Sequence, residues 1–287
     1  MRVSNKTVYD AVTYNLANIT DQLNKANTMV ASGKQILNLS DDPVGLTQAL
    51  NIKSSLASVE QLGRNIAMGK SWLNASETSL SNVENLISDT KALAVQMANG
   101  TTGASQRANS AQTVQNTLKE IVSLANSDMN GQYIFSGSKT GTTPFSQDGT
   151  YNGDSNPFKV KIARDAMVEV GHNGEDVFGT LFTTLSDLKT ALETNDIGGI
   201  QDAIGYLDND FENISNKISD IGSKVTRMEI KENIYRDLEI TNRSRLSEIE
   251  DVDLAEAIIE LQSIEVTYQA ALASSSRVMQ LSLVNYL

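Results

Sequence analysis

The fold is decided at residues 253–287, which read DLAEAIIELQSIEVTYQAALASSSRVMQLSLVNYL. In this stretch apolar or small residues recur at alternating spacings of three and four, so they share one face of a helix. They are Leu254, Ala257, Leu261, Ile264, Tyr268, Ala271, Ser275 and Val278. A face this narrow and long suits a second helix as its partner, from the same chain or from a neighbouring copy. We therefore predict a long, packed helix at this end of the chain.

The N-terminal segment carries the same pattern, which predicts a first helix over Lys6–Leu37. The residues that share its apolar face are Tyr9, Val12, Leu16, Ile19, Leu23, Ala26, Val30, Gly33 and Leu37. Both ends of the chain are therefore expected to pack against helices.

A second helix is predicted to begin at Pro43. Ser40, Asp41 and Asp42 offer side-chain oxygens that cap a helix start, and proline suits the first turn. A metal or acid/base site built on the two aspartates is the alternative, but the nearby sequence offers no third ligand. We prefer the helix cap.

The composition favours long helices and excludes several classes of function. The 287 residues include three prolines and one tryptophan, which is typical of a helical protein rather than of a β-sandwich. The net charge of −12 argues against a general nucleic-acid binder, because neutralising phosphates requires clustered lysine and arginine. The absence of cysteine excludes disulfides and thiolate chemistry. Residues 1–16 lack the apolar core of a secretory signal and no stretch approaches membrane-spanning length, so we expect any export to use another route.

The middle of the chain combines helical and β patterns. Two long seams with alternating spacings of three and four, Leu62–Met97 and Ile200–Met228, are expected to face each other. Shorter helical patterns cover 108–129 and 181–192, and short strands are predicted at 133–135, 158–162 and 167–170. The predicted fold is mainly α: an elongated antiparallel bundle or coiled coil of long helices built from both chain ends, with a small β-rich outer insertion in the middle.

This pattern divides the chain into five predicted segments. They are an N-terminal assembly helix (1–42), the N-terminal half of a helical body (43–132), a small β-rich outer domain (133–179), the C-terminal half of the helical body (180–252) and a C-terminal assembly helix (253–287).

No constellation of catalytic or metal-binding residues stands out. The single histidine, His172, lies in a turn that reads GHNGED, and we interpret it as a solvated turn residue. The acidic residues Glu248, Glu250, Asp251 and Asp253 lack the calcium-loop pattern and are interpreted as solvated or capping groups. We therefore predict no catalytic residue, no metal and no cofactor.

Two stretches of sequence resemble the bacterial flagellin superfamily. They are ASGKQILNLSDDPVGLTQAL at residues 31–50 and GRNIAMGKSWLNASETSLSNVENLI at residues 63–87. The C-terminal stretch quoted above is similar to the last helix of that family, and the resemblance covers roughly the first 140 and the last 85 residues. Its most specific part is the SDDPVG motif, in which the family positions are Ser40, Asp41, Asp42, Pro43 and Gly45.

Within the superfamily, three short passages resemble the branch that joins the flagellar hook to the filament. They are MRVS at residues 1–4, GQYIFSG at 131–137 and TPF at 143–145. The resemblance implies a structural adaptor of the bacterial flagellum that is not an enzyme. A flagellin that forms the filament itself is the alternative, and a coiled-coil scaffold outside the flagellum is a more distant one.

The resemblance also implies how such a chain is delivered and what it contacts. It implies export through the flagellar type III apparatus without a cleaved signal, to an extracellular position in the flagellum. The implied partners are neighbouring copies of the chain, hook-associated protein 1, flagellin and an export chaperone, with no nucleic acid and no membrane insertion.

The unbroken apolar faces of the two ends are then expected to form the subunit interface. The residues predicted for it are Tyr9, Val12, Leu16, Ile19, Leu23, Val30 and Leu37 in the N-terminal helix, and Leu254, Ile258, Leu261, Ile264, Tyr268, Leu272, Val278 and Leu281 in the C-terminal helix.

Overall fold

The structure, a computed structural model, describes residues 5–147 and 149–284. Within these residues the chain forms six helices: α1 (Asn5–Ser32), α2 (Pro43–Met97), α3 (Ala104–Ala125), α4 (Gly174–Glu193), α5 (Ile197–Glu250) and α6 (Leu254–Val284). Four short strands lie between α3 and α4: β1 (Asp128–Met129), β2 (Gln132–Tyr133), β3 (Lys159–Ala163) and β4 (Ala166–Glu169). The predicted fold class, mainly α with a small β-rich insertion, is confirmed.

The chain divides into two compact units. The terminal unit comprises residues 1–58 and 238–287, and the central unit comprises Val59–Asp237. The five-segment division made from the sequence stays a prediction.

The terminal unit is built on α1 and α6, which pack against each other. Residues of the first half of α1 line a groove together with Ala271 and Ser275 of α6, whereas Gly33, just after α1, pairs with Val252, just before α6. The two helices therefore run antiparallel.

The long seams predicted for α2 and α5 contribute to one apolar core in the central unit. Ile66, Leu73, Leu80 and Ile87 of α2 are fully buried in the same cluster as Ile200, Leu207, Ile214 and Ile221 of α5. Trp72 is also fully buried, and its ring centroid lies 5.3 Å from that of Phe158, so this tryptophan is a packing residue of the core.

The β-rich insertion consists of two separate antiparallel hairpins. β1 and β2 are joined by Asn130 and Gly131, whose φ angles of 56° and 79° match the turn that Asn-Gly favours in a two-residue hairpin. In β3, Val160 and Ile162 point into the core while Lys159 and Lys161 are exposed, which is the alternation expected of a strand with one buried face. β2, β3 and β4 each overlap a predicted strand, whereas β1 was not predicted and includes Met129, which the sequence pattern assigned to a helix.

Two predicted helices end earlier than the sequence pattern indicated. α3 ends at Ala125, because the side chain of Asn126 pairs with the backbone of Phe145 through both its Nδ2 and its Oδ1 and so directs the chain away from the helix axis. α1 ends at Ser32, because Gly33 adopts a φ of +68° and the chain beyond it pairs with residues 249–252.

Candidate assembly surface

The apolar faces predicted at the two ends meet each other within one chain. On α1, Ala26 is buried and Val12, Leu16, Ile19, Leu23 and Val30 are partly buried. On α6, Ala257 is buried and Leu261, Ile264, Tyr268 and Ala271 are partly buried. We call this shared face the terminal seam. Because a pair of helices covers each member from one side only, most of these residues keep some exposure.

A second apolar face lies on α6, opposite the terminal seam. Ile259 and Val266 are seven residues apart, and at 100° per residue they lie about 170° from the centre of the seam. Their exposed fractions are 68% and 66%. Ile258 and Leu272, two of the predicted interface residues, are also exposed. On the same count they lie about 100° and about 60° from the centre of the seam, on one side of the helix between the two faces. α6 therefore presents apolar surface in more than one direction.

A groove runs beside the terminal seam. It has a volume of about 380 Å³ and is lined by Val12, Asn15, Leu16, Asn18, Ile19, Ala271, Ser274 and Ser275. The serine and alanine side chains on its α6 wall are small, so another helix could approach the backbone closely there.

The remaining predicted interface residues lie elsewhere. Tyr9 is exposed near the start of α1, and Leu37 lies beyond the end of α1. Leu254 is the first residue of α6 and is half exposed. Val278 and Leu281 belong to α6, but their side chains lie outside the described residues.

The SDDPVG motif forms the start of α2, as the sequence predicted. Asp42 accepts hydrogen bonds at Oδ1 from the backbone N–H groups of Val44 (3.0 Å) and Gly45 (2.9 Å), which caps the helix. Gly45 has no space for a side chain, because a Cβ there would lie 2.2 Å from Oδ2 of Asp42. Ser40 is exposed, and Pro43 is the first residue of the helix.

Asp41 ties the segment before α2 back to α1. One of its carboxylate oxygens accepts from Nζ of Lys25 (2.7 Å), and the other accepts from the backbone N–H groups of Leu37 (3.2 Å) and Asn38 (2.9 Å). The hydrogen bond from Lys25, together with the backbone donors, lowers the pKa of Asp41. The two neighbouring aspartates therefore have separate structural roles.

The segments that connect the terminal helices to α2 and α5 are joined to each other. We call residues 33–42 the first linker and residues 251–253 the second linker. Lys34 and Asp251 form an antiparallel bridge. The backbone N–H of Gln35 donates to the carbonyl oxygen of Glu250 (2.8 Å). The backbone N–H of Val252 donates to the carbonyl oxygen of Gly33 (3.0 Å).

A buried carboxylate reinforces this junction. The side chain of Glu250 is only 5% exposed and lies 2.7 Å from Nζ of Lys34 and 2.5 Å from Nζ of Lys53. Burial by itself raises the pKa of Glu250, but the hydrogen bonds and charges of the two lysines outweigh it and lower the pKa overall. The prediction that Glu250 is a solvated residue is therefore wrong. Asp253, in contrast, caps α6 through Oδ1, which accepts from Ala255 and Glu256.

His172 is also not the solvated turn residue that the sequence suggested. It is 8% exposed, its ring centroid lies 6.4 Å from that of Phe135, and its Nε2 has no hydrogen-bond partner among the described residues. Burial, with smaller contributions from the charges of Lys224 and Lys217 and against the opposing effect of Asp220, lowers its pKa to about 4. His172 is therefore a buried residue, although the turn around it is rich in glycine and polar residues.

The described residues offer no chemistry beyond packing and ion pairing at these places. Across residues 5–147 and 149–284, no three histidine or acidic side chains come together in a way that could hold a metal ion. In the same residues, no helix combines the length and the apolar character needed to span a bilayer.

Comparison with known protein families assigns both ends of the chain. Residues 3–140 match the bacterial flagellin N-terminal helical region, and residues 204–287 match the bacterial flagellin C-terminal helical region. Together the matches cover more than three quarters of the chain. The chain belongs to the bacterial flagellin family. The family predicted from the SDDPVG motif is thus confirmed, and the chain is a structural component of the bacterial flagellum.

Within the flagellin family, its relatives include hook-associated proteins. Flagellar hook-associated protein 3 of Escherichia coli (strain K12) is 26% identical, over 94% of this chain and 96% of that protein. Flagellar hook-associated protein 3 of Salmonella typhimurium (strain LT2) is 27% identical, over 96% of this chain and 95% of that protein. The crystal structure of Bacillus cereus FlgL superposes with a TM-score of 0.63 and 26% identity, covering 69% of this chain and 99% of that one.

Proposed function

We propose that this chain is a hook–filament junction protein, a structural adaptor that joins hook-associated protein 1 at the end of the hook to the flagellin filament. The observation that carries the proposal is the nearly full-length likeness to two proteins named flagellar hook-associated protein 3. This likeness spans the β-rich middle of the chain as well as its two ends.

The proposed mechanism is packing of terminal helices against neighbouring subunits. The terminal seam holds α1 and α6 together as an antiparallel pair, and the outer face of α6 and the groove beside the seam remain for other subunits. Burying Ile259 and Val266 against a neighbour removes apolar surface from water, which is the main favourable term in association. Among the residues predicted for the interface, the exposed Tyr9, Ile258 and Leu272 then contact the neighbour directly.

The seam residues contribute to assembly in a different way. Leu16, Leu23 and Ile264 act by keeping the two helices paired, so that the outer face of α6 is presented at a fixed position. Assembly stabilises the pair in turn, because an isolated helix pair is only marginally stable in water.

The partners and the delivery route follow from the proposed position in the flagellum. The partners are neighbouring copies of the chain, hook-associated protein 1 and flagellin, and an export chaperone accompanies the chain before assembly. Delivery is extracellular, through the flagellar type III apparatus and without a cleaved signal. The chain is not an enzyme and uses no cofactor.

A filament-forming flagellin is the second candidate, because the family models that match the chain are those of flagellin itself. The discriminating experiment is negative-stain electron microscopy of the full-length protein, concentrated with a salting-out salt that strengthens apolar burial. For a junction protein we expect monomers or short oligomers that retain a helical circular-dichroism spectrum. Long regular filaments formed by the protein alone would overturn the proposal in favour of flagellin.

A further inference from the structure

We propose that the first and second linkers form a single joint, locked by the carboxylate of Glu250, so that α1 and α6 change direction together. The proposal makes Glu250 a positioning residue for the paired terminal helices. It rests on the backbone pairing of the two linkers and on the burial of the charged group that joins them.

The backbone pairing couples the two linkers directly. The N–H of Gln35 in the first linker is bonded to Glu250, at the entrance to the second, and the N–H of Val252 in the second linker is bonded to Gly33 in the first. A further bond runs from Nε2 of Gln35 to the carbonyl oxygen of Ile249 (2.8 Å). Movement of either linker alone therefore breaks bonds that both of them use.

The carboxylate of Glu250 brings three parts of the chain together. It lies at the end of α5 and accepts from Lys34 in the first linker and from Lys53 in α2. Its side chain is 5% exposed, whereas both lysine side chains are 44% exposed. If the first linker moves away, a buried carboxylate loses one of its two counter-ions, and a buried charge without its partner is strongly unfavourable. The ion pairs thus oppose the separation of the first linker from α5.

The joint coincides with the ends of both terminal helices. α1 ends at the first linker, where Gly33 has a φ of +68°, and α6 begins at the second, where Asp253 caps it. Fixing the two linkers to each other therefore fixes where both helices leave α2 and α5. The claim that this direction matters for assembly rests on the proposed function. The joint between the two linkers does not depend on that function.

The test measures two distances in a chain that has no native cysteine, so that introduced spin labels are unique. Thr28→Cys with Ser54→Cys spans the first linker, and Ser244→Cys with Ser263→Cys spans the second; all four residues are exposed. Pulsed electron paramagnetic resonance gives the distance distribution for each pair. The change is Lys34→Met, which removes one counter-ion of Glu250 and alters the first linker only.

A single joint predicts that Lys34→Met widens both distributions, including the one across the second linker, which the substitution does not touch. Glu250→Gln should widen both as well, and Lys34→Arg, which keeps the charge, should restore narrow distributions. Lys6→Met, at an exposed lysine in α1, is the matched control and should change neither.

Three results would overturn the joint. Widening across the first linker alone would show that the linkers move independently. Unchanged distributions in Lys34→Met would show that the ion pair does not hold them. Wide distributions in the unsubstituted chain would show that no lock exists. Since none of these results depends on assembly, they are distinct from a failure of the junction role in electron microscopy.

Discussion

Nε of Arg107 donates a hydrogen bond of 2.8 Å to the backbone carbonyl oxygen of Met97, the last residue of α2. Its two other nitrogens donate to the carbonyl oxygen of Asn99 (2.9 Å) and to Oδ1 of Asn195 (2.5 Å). Arg107 is 3% exposed, so one buried guanidinium satisfies carbonyl groups that the end of α2 leaves without partners. Its positive charge also lies at the negative end of the helix dipole.

Replacing Arg107 with Met should destabilise the central unit by about 2 to 3 kcal/mol. The substitution keeps most of the apolar stem, but the buried carbonyl oxygen of Met97 loses its donor, and so does the carbonyl oxygen of the more exposed Asn99. Urea unfolding followed by the fluorescence of Trp72, the only tryptophan, measures the effect in that unit. Lys119 is an exposed basic residue of α3, the helix that contains Arg107, and Lys119→Met should lower the free energy of unfolding by less than about 0.5 kcal/mol. Equal losses in the two variants would contradict the proposed role of Arg107.

Alanine should have opposite effects at two glycines of α2. At Gly45 a Cβ would lie 2.2 Å from Oδ2 of Asp42, so Gly45→Ala should break the helix cap and cost about 1 to 2 kcal/mol. At Gly63 a Cβ would meet nothing within 4 Å, so Gly63→Ala should stabilise the helix by about 0.5 to 1 kcal/mol. Urea unfolding followed by circular dichroism compares the two variants. A Gly45→Ala variant at least as stable as the unsubstituted chain would show that the cap does not require glycine.

The buried His172 should make the central unit less stable as the pH falls. Its pKa is about 4 in the folded chain and about 6.5 in the unfolded chain, so the unfolded state binds the proton first. The stabilisation is fully present above pH 6.5, and about 3 kcal/mol of it is lost by pH 4.

His172→Gln removes this titration and is the matched variant. The difference in unfolding free energy between the unsubstituted chain and His172→Gln should therefore shift by about 3 kcal/mol against the unsubstituted chain between pH 7 and pH 4. Since the chain has one histidine, the imidazole pKa can also be read from a single NMR resonance. A midpoint near 6.5 in the folded protein would show that the ring is solvated after all.

The local sequence predicts where the helices lie, but it does not predict which of their side chains are buried. The spacing of three and four identified α1 and α6, because helix period is a property of neighbouring residues. The same spacing could not say whether the partner of each face belongs to the same chain. The burial of Glu250 depends on Lys34, which is 216 positions away in the sequence. The acidic residues next to Glu250 give no indication of that partner, so the sequence does not predict the burial. His172 was missed for a similar reason, since its turn is polar while its ring packs near Phe135.

The outer face of α6 could have been found from the sequence. Ile259 and Val266 are separated by one heptad, as the seam residues Leu261 and Tyr268 are, so α6 has two apolar faces on inspection. The sequence does not show which of the two faces packs against α1. Only the structure shows that the face with Leu261 is partly covered by α1 and the face with Ile259 is open.

Glutamate at both Ile259 and Val266 should prevent assembly without unfolding the terminal helix pair. Both side chains are about two thirds exposed, so the substitutions remove little packing within the chain, but a neighbouring subunit would have to bury two unpaired charges. The measurement is rescue of motility in a strain that lacks its own copy, with circular dichroism of the purified protein as the test of folding. Ile259→Leu with Val266→Leu changes the same two positions but keeps the face apolar, and should still rescue. Leu16→Asp with Leu23→Asp should also abolish motility, but by separating α1 from α6, which lowers the helical content of the purified chain. If the Ile259 and Val266 double variant rescues motility, the outer face of α6 is not a subunit contact.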